Sequence, residues 1–182
     1  MLEIKYDYRL RPIKQDLPDM REGDAATRGL DAYGRPLRCT SEAFRYTDPN
    51  SAYSSLTIDE ILDPEMHRLL ARWLGGLEPS EIGKHHDSIV LCINWPGYAD
   101  EPEIEIPVGG MNRCTFVRAI SQAFQKFYED NKDKAVISND PDHLEYVLEE
   151  RFGWEAIHLL GIHHVCLNKW QADLAYLPFG AV

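Results

Sequence analysis

The chain opens with apolar and polar side chains in strict alternation. Between Leu2 and Leu10 every second residue is apolar, and the residues between them are charged. A period of two places the apolar side chains on one face, so the pattern predicts a half-buried antiparallel strand that Arg11-Pro12 ends. The polar stretch 14–50 follows, with scattered glycines and prolines. We interpret it as a long, mostly irregular arm or loop with a short strand near Arg38–Tyr46.

A helical signature follows this stretch. Thr57 and Glu60 have the spacing of a capping box, in which each side chain satisfies the other's backbone amide. We expect a helical pair from Thr57 to Leu74, with Pro64 at the first position of the second helix and Gly75-Gly76 at its end. The predicted inward face of the second helix carries Met66, Leu69, Leu70, Trp73 and Leu74.

The middle of the chain predicts two strands and a long helix. Ile89–Trp95 is a nearly unbroken apolar run, which suits a strand buried on both faces in the middle of a sheet. Apolar residues then alternate with glutamates from Glu103 to Val108, which predicts a strand with one solvated face. The helix is predicted over Thr115–Asn131, and its inward stripe comprises Phe116, Ile120, Phe124, Phe127 and Tyr128.

The last part of the chain predicts a further helix and the closing strands. Asp140-Pro141 is again a cap followed by proline, and it predicts a helix over Pro141–Phe152. The tail predicts two or three strands over Ala156–Leu160, Ile162–Leu167 and Trp170–Leu177, with a hairpin turn at Asn168-Lys169. The order of elements predicts a single α+β domain over 1–182, in which three main helices pack on a mixed, largely antiparallel sheet.

Part of this order resembles a family of fungal, mainly basidiomycete, domains of unknown function. Ile89–Trp95, Glu103–Val108 and Cys114–Ile120 look like the strand–strand–helix centre of that family, and Arg151–Gly153 with Ile157–Gly161 resembles its closing strand. The resemblance covers about half of the chain. It implies an intracellular α+β domain and supplies no catalytic residues, because the family has none assigned.

Composition and charge narrow the classes of partner. The 182 residues include 19 Lys+Arg and 30 Asp+Glu, for a net charge of -11. Nucleic acids and anionic membrane surfaces both call for a cationic face, so we expect neither as a partner. No apolar run approaches the ~18 residues of a transmembrane helix. A protein or a small molecule is the expected partner.

The number and spacing of the cysteines indicate the cellular compartment of the protein. The four cysteines are widely spaced and are predicted to be reduced, mostly buried thiols. The N-terminus lacks the continuous apolar centre of a signal peptide. We therefore expect an intracellular, cytoplasmic protein; the alternative is a secreted effector without a conventional signal, whose arm 14–50 contacts a host.

Two histidine pairs are candidates for a metal site. His85, His86 and Asp87 precede the predicted central strand, and His163 and His164 lie inside a late one. Neighbours in a strand point to opposite faces, so one histidine of each pair plus Asp87 forms the plausible ligand set for a divalent metal such as zinc. The favoured alternative needs no cofactor, because no zinc-type spacing links these residues.

Four further residues are candidates for ligand binding. Arg113 follows Gly109-Gly110 just before a helix, where it and the backbone amides can hold an anion. An ordinary strand-to-helix loop is favoured there, since the Lys-Ser/Thr of a phosphate loop is missing. Trp95, Tyr98 and Trp170 fall at strand ends or turns and are candidates for a ligand cleft, with core packing as the alternative for any single ring.

The sequence as a whole favours a binding or protein-interaction module without assigned chemistry. No serine lies in a Gly-x-Ser-x-Gly elbow, and Glu101, Glu103 and Glu105 are typical of the solvated face of a strand. The alternative is a small metal-dependent hydrolase or lyase that uses the His/Asp site.

Overall fold

The structure, a computed structural model, describes residues 10–13, 15, 29–30, 37, 39–44, 55–99, 101–137, 146–148 and 156–176. The strands in these ranges are β1 (Arg11–Ile13), β2 (Ser41–Ala43), β3 (Leu56–Thr57), β4 (Ser88–Cys92), β5 (Glu103–Pro107), β6 (Ile157–Cys166) and β7 (Lys169–Tyr176). The helices are α1 (Ile58–Leu62), α2 (His67–Trp73) and α3 (Arg113–Asn131), and Ile82–Lys84 forms one turn of 3-10 helix.

The hairpin of β6 and β7 forms the centre of the sheet. Strands β2 and β3 pair with β6, strands β1 and β4 pair with β7, and β5 lies beyond β4. The β4–β7 pair is parallel, whereas the other pairs are antiparallel. The predicted α+β class is confirmed: a mixed, largely antiparallel sheet with helices packed on it. Strand β4 is an interior strand, but the middle of the sheet belongs to β6 and β7.

Helix α3 forms as its periodicity predicts. The side chain of Asn112 caps it by accepting the N–H of Thr115 at 2.9 Å. All five residues of the predicted inward stripe are buried. They join one hydrophobic core with the sheet, whose buried residues include Ile89, Leu91, Ile106, Ile162 and Trp170. None of the described helices is both long and apolar enough to cross a bilayer.

The first helical pair begins as predicted. Thr57 Oγ1 accepts the N–H of Glu60 at 3.1 Å, and the Glu60 carboxylate accepts the N–H of Thr57 at 2.9 Å. This reciprocal arrangement is the predicted capping box. Gly75, with a φ of 59°, follows the end of α2 and confirms the predicted stop.

The prediction for the start of the second helix is wrong. Asp63 Oδ1 accepts the N–H of Glu65 at 2.8 Å, and this contact holds residues 63–66 in a turn. Pro64 therefore lies in that turn, and α2 begins only at His67. Leu69 of the predicted inward face is 37% exposed.

The tail forms two strands, the lower of the two predicted numbers, because β6 is continuous across the predicted segments Ala156–Leu160 and Ile162–Leu167. The pairing of β6 with β7 shifts register between Leu159 and Gly161, which marks a bulge rather than a break. A Cβ on Gly161 would lie 2.7 Å from the carbonyl oxygen of Glu42. The glycine thus permits the close approach of β2 and does not end the strand. The hairpin turn falls at Leu167-Asn168, one residue earlier than predicted, because Cys166 pairs with Lys169.

Strand β1 forms where the first strand was predicted to end. Pro12 is tolerated because β1 pairs with β7 alone among the described strands, as an edge strand does. The predicted alternating segment before Leu10 and most of the arm 14–50 lie outside the described residues. Strand β2 confirms the short strand predicted near Arg38–Tyr46. The predicted helix Pro141–Phe152 lies outside the described residues except for 146–148.

The four cysteines are free thiols, as predicted. Cys92, Cys114 and Cys166 are buried, and Cys39 is half-buried. Burial is the main cause that raises the pKa of Cys92 to about 11. Because the thiolate is the reactive form, Cys92 behaves as a small apolar side chain.

Candidate ligand-binding groove

A groove of about 380 Å³ lies between β5 and the C-terminal half of α3. Strand β5 is at an edge of the described sheet. The apolar lining of the groove comprises Pro102, Ile104, Ala123 and Phe127. Its polar lining comprises Glu101, Lys126, Asp130 and Asn131. An apolar cleft of this volume with a few polar groups has the make-up of a binding site.

Helical spacing brings the α3 part of the groove together. Ala123, Phe127 and Asp130 are four and three residues apart, so their side chains lie on one face of α3. Ala123 carries only a methyl group, and the room it leaves faces the half-buried Ile104 of β5. The groove exists because a small residue of the helix lies opposite a strand that has no further strand beside it among the described residues.

Two of the aromatic residues that were predicted to form a ligand cleft, Trp95 and Tyr98, pack behind this groove. The ring centroids of Trp95 and Tyr98 each lie 6.4 Å from that of Phe127. Trp95 Nε1–H donates to the carbonyl of Tyr146 at 2.7 Å, and the Tyr98 hydroxyl accepts the N–H of Leu148 at 3.0 Å. Both rings are buried and therefore support Phe127, the aromatic residue that lines the groove.

Asn131, one of the lining residues, has an amide oxygen that is closed to solvent. Its side chain is buried, and its Nδ2 donates to the carbonyl of Phe127 at 2.9 Å. Its Oδ1 is buried with no hydrogen-bond partner. An unsatisfied buried acceptor costs about 1–3 kcal/mol. The sequence signal for it is a polar residue next to the apolar stripe, and that pattern alone indicates only the end of the helix.

The charges around the groove are mainly acidic. Lys126 Nζ lies 2.7 Å from Asp130 Oδ2, so these two side chains neutralise each other. On β5, Glu103 pairs with Lys169 at 2.6 Å. The exposed carboxylates of Glu101 and Glu105 have no ion-pair partner within the described ranges. The unbalanced charge beside the groove is therefore negative.

The structure brings one histidine of each predicted pair to Trp170. The ring centroids of His86 and His164 each lie 5.3 Å from the ring centroid of Trp170, in edge-to-face contact. His164 Nδ1 accepts the N–H of Gly29 at 3.1 Å, and its Nε2–H donates to the carbonyl of Leu167 at 2.9 Å. Since both nitrogens of His164 are engaged, the ring is neutral and offers no lone pair to a metal.

His86 is held in its neutral form. Burial, followed by the nearby His164 and His85, lowers the pKa of His86. A hydrogen bond to the backbone of Cys39 opposes this shift without reversing it. His86 Nε2 is buried and has no hydrogen-bond partner, and the same holds for Trp170 Nε1.

The remaining metal candidates lie apart from this cluster. His85 and Asp87 are exposed. His163 Nδ1 lies 2.8 Å from Asp173 Oδ1, on the sheet face opposite to His164. Within the described ranges, no three His, Cys, Asp or Glu side chains form a group that could hold a metal ion.

Arg113 forms an ion pair with a carboxylate of the same chain, that of Glu42. Its Nε donates to Glu42 Oε1 at 3.0 Å, and its Nη1 donates to the carbonyl of Leu74 at 3.1 Å. Glu42 Oε2 accepts the N–H of Ile82 at 3.1 Å, and the Glu42 side chain is 2% exposed. The guanidinium of Arg113, a predicted candidate for binding a ligand anion, therefore joins β2 to the start of α3.

Comparison with protein-family models, with curated proteins and with solved structures gives no significant match. The resemblance to the fungal domain family stays a prediction. Function therefore has to be argued from the geometry of the groove and of the sheet.

Proposed function

We propose that this protein is an interaction module that holds a short, extended, basic segment of a partner protein in the groove between β5 and α3. The observation that carries the proposal is the apolar groove, lined by Ile104, Ala123 and Phe127, that opens beside the outer edge of β5. An apolar cleft next to an unpaired strand edge suits an extended peptide, which adds a strand and places a side chain in the cleft.

The residues that line the groove determine which peptide segments can bind there. An apolar side chain of the segment packs between Ile104 and Phe127, where it is removed from water. A lysine or arginine of the segment meets Glu101 at the rim. The net charge of -11 attracts basic segments over longer distances and favours them over acidic ones.

The edge of β5 suits an extended conformation. Ile93 N–H bonds to Pro102 O, and Val108 N–H bonds to Asp87 O, so the even-numbered residues of β5 turn their backbone groups toward β4. The backbone groups of Glu103 and Glu105 therefore point to the outer edge, where the described residues place no strand. An added strand can pair with them.

The test uses an array of extended hexapeptides in which apolar residues alternate with lysine or arginine. Copies with glutamate in place of the basic residues are the matched control. We expect basic peptides to bind and to shift backbone NMR signals of α3 and β5 around Phe127 and Ile104. Shifts confined to other parts of the molecule, equal binding of the acidic copies, or no binding at millimolar peptide would each contradict the proposal.

We further propose a cytoplasmic location. Its four free thiols suit a reducing compartment. No arrangement of the described His, Cys, Asp and Glu residues favours the metal-dependent enzyme as a second function.

A further inference from the structure

Ser41, His163 and Asp173 lie on neighbouring strands β2, β6 and β7 and share one face of the sheet. We propose that they form a nucleophilic site that cleaves small esters, with Ser41 as nucleophile, His163 as general base and Asp173 as the group that orients His163. The site is separate from the groove, because neighbouring Glu42 reaches α3 through Arg113 and Ser41 points to the opposite face.

The register of β2 and β6 brings Ser41 and His163 together. They are direct partners in the antiparallel ladder. The bonds from His164 N–H to Thr40 O at 2.9 Å and from Phe44 N–H to Leu160 O at 2.8 Å lie on either side of them. This pattern makes Ser41 and His163 a non-hydrogen-bonded pair, the kind whose Cα atoms are about 4.5 Å apart and whose side chains approach most closely.

Asp173 fixes the orientation of the imidazole. Its Oδ1 lies 2.8 Å from His163 Nδ1. With Nδ1–H donating to the carboxylate, the lone pair of the neutral ring is on Nε2, on the side of the ring away from Asp173. Within the described part of the chain, no group bonds to Nε2 of His163. Asp173 and Ser41 thus lie on the two strands that flank β6, in the order of an acid–base–nucleophile relay, and Ser41 Oγ has to close on Nε2 when a substrate binds.

The backbone of Ser41 supplies a donor for the developing negative charge. The two ladder bonds turn the backbone groups of Thr40, Glu42 and Phe44 toward β6, so the N–H of Ser41 points to the outer edge of β2. No acceptor in the described ranges bonds to it. The nucleophile's own amide is one of the donors that stabilise the oxyanion in serine hydrolases.

The proposed reaction balances without a cofactor. Ser41 Oγ attacks the ester carbonyl carbon while its proton passes to His163 Nε2. The bond from that carbon to the alkoxide oxygen then breaks, and the leaving alcohol takes the proton from Nε2. Water hydrolyses the acyl group from Ser41 by the same steps, so that ester and water give carboxylic acid and alcohol.

The test is covalent labelling by an alkyl fluorophosphonate, which forms a P–O bond to an activated serine and releases fluoride. Peptide mass spectrometry of the full chain is expected to find the adduct on Ser41 and to lose it in Ser41→Ala. His163→Gln and Asp173→Asn are expected to slow labelling at least about tenfold, because general-base assistance contributes roughly 10²–10⁴-fold. His85→Gln, at an exposed histidine outside the site, is the matched control and should label like the parent.

The outcomes are decisive because the three side chains are at least partly exposed and the variants are expected to fold. Circular dichroism melting verifies that each variant keeps the parent's transition. An adduct on another residue, no adduct on Ser41, or labelling of His163→Gln at the parent's rate would overturn the proposal. The result is independent of peptide binding in the groove, so either proposal can fail alone.

Discussion

Asn131 and Glu42 are both buried polar side chains, and they differ in how their oxygens are satisfied. Each carboxylate oxygen of Glu42 accepts a hydrogen bond, from Arg113 or from the backbone of Ile82. Asn131 Oδ1 accepts none. The unsatisfied oxygen of Asn131 is therefore a cost to the folded protein, whereas Glu42 makes a fully satisfied structural contact.

The cost of Asn131 can be measured directly. Asn131→Leu removes the unsatisfied oxygen together with one hydrogen bond and adds apolar contact. We expect its free energy of unfolding to stay within about 1 kcal/mol of the parent or to rise. Urea unfolding monitored by circular dichroism gives the value. A loss of more than about 2 kcal/mol would mean that Asn131 is well satisfied in the folded protein.

Leu167 offers a second test at the residue scale. It has a φ of 50°, in the left-handed region where a side chain is strained, and it is 40% exposed. Leu167→Gly relieves this strain but gives up the apolar contact of a partly covered side chain, so we expect its stability to stay within about 1 kcal/mol of the parent. Asn168→Gly is the matched control, because Asn168 has no positive φ to relieve and should lose stability. Thermal melts that rank the two variants in the reverse order would refute strain at this turn.

His86 makes stability depend on pH with a defined sign. Its pKa is lowered by burial, so below the usual value of 6.5 the unfolded chain takes up a proton that the folded chain refuses. The contribution of His86 is therefore present above that value and is lost as the pH falls from about 6.5 toward the lower folded pKa. His86→Gln is expected to show a smaller loss of unfolding free energy between pH 7.5 and 5.5 than the parent.

The control for that experiment is His67→Gln, at an exposed histidine that is not among the causes of the His86 shift. It leaves the half-buried ring of His86 against Trp170 in place and should keep the parent's pH dependence. Equal slopes for the parent and His86→Gln would show that the His86 ring carries no such linkage.

At the scale of elements, the Glu42–Arg113 pair joins β2 to α3. Arg113→Met leaves the carboxylate of Glu42 buried without its partner, which is expected to cost about 3–5 kcal/mol of unfolding free energy. Glu42→Gln combined with Arg113→Met removes both charges and should cost clearly less than the sum of the single variants. Additive losses in this double-mutant cycle would mean that the pair is not coupled.

Elements with regular periodicity were predictable from the sequence, and those set by distant contacts were not. The stripe on α3 and the alternation on β5 each depend on their own residues. Gly161, by contrast, signalled a break, because the strand that approaches it comes from a distant part of the chain. The predicted start of α2 was wrong for a local reason. The side chain of Asp63 accepts the backbone N–H of Glu65 and forms a turn before the helix begins.

The candidate site was largely hidden from the sequence for a related reason. Phe127 was assigned to the core, and its contact with the groove depends on where β5 lies beside α3. Neighbouring histidines were correctly predicted to face opposite sides of a strand, and His163 and His164 do so. That His163 stands between Ser41 and Asp173 follows from strand order, which the sequence pattern does not specify.

At the scale of the whole molecule, net charge and groove act together. On the proposed function, a chain with a charge of -11 attracts basic segments from solution, and the groove would retain those with a suitable apolar side chain. Raising the salt concentration screens the first effect and leaves the second. Binding should therefore weaken with salt but persist.

The most direct test of the groove is calorimetric titration of the best-binding basic peptide against the parent, Ala123→Phe and Gln122→Phe. Ala123→Phe fills the groove, whereas Gln122→Phe adds the same ring at an exposed position outside its lining. We expect Ala123→Phe to weaken binding at least about tenfold, or about 1.4 kcal/mol, and Gln122→Phe to bind like the parent. Equal affinities of all three folded proteins would contradict the groove as the binding site.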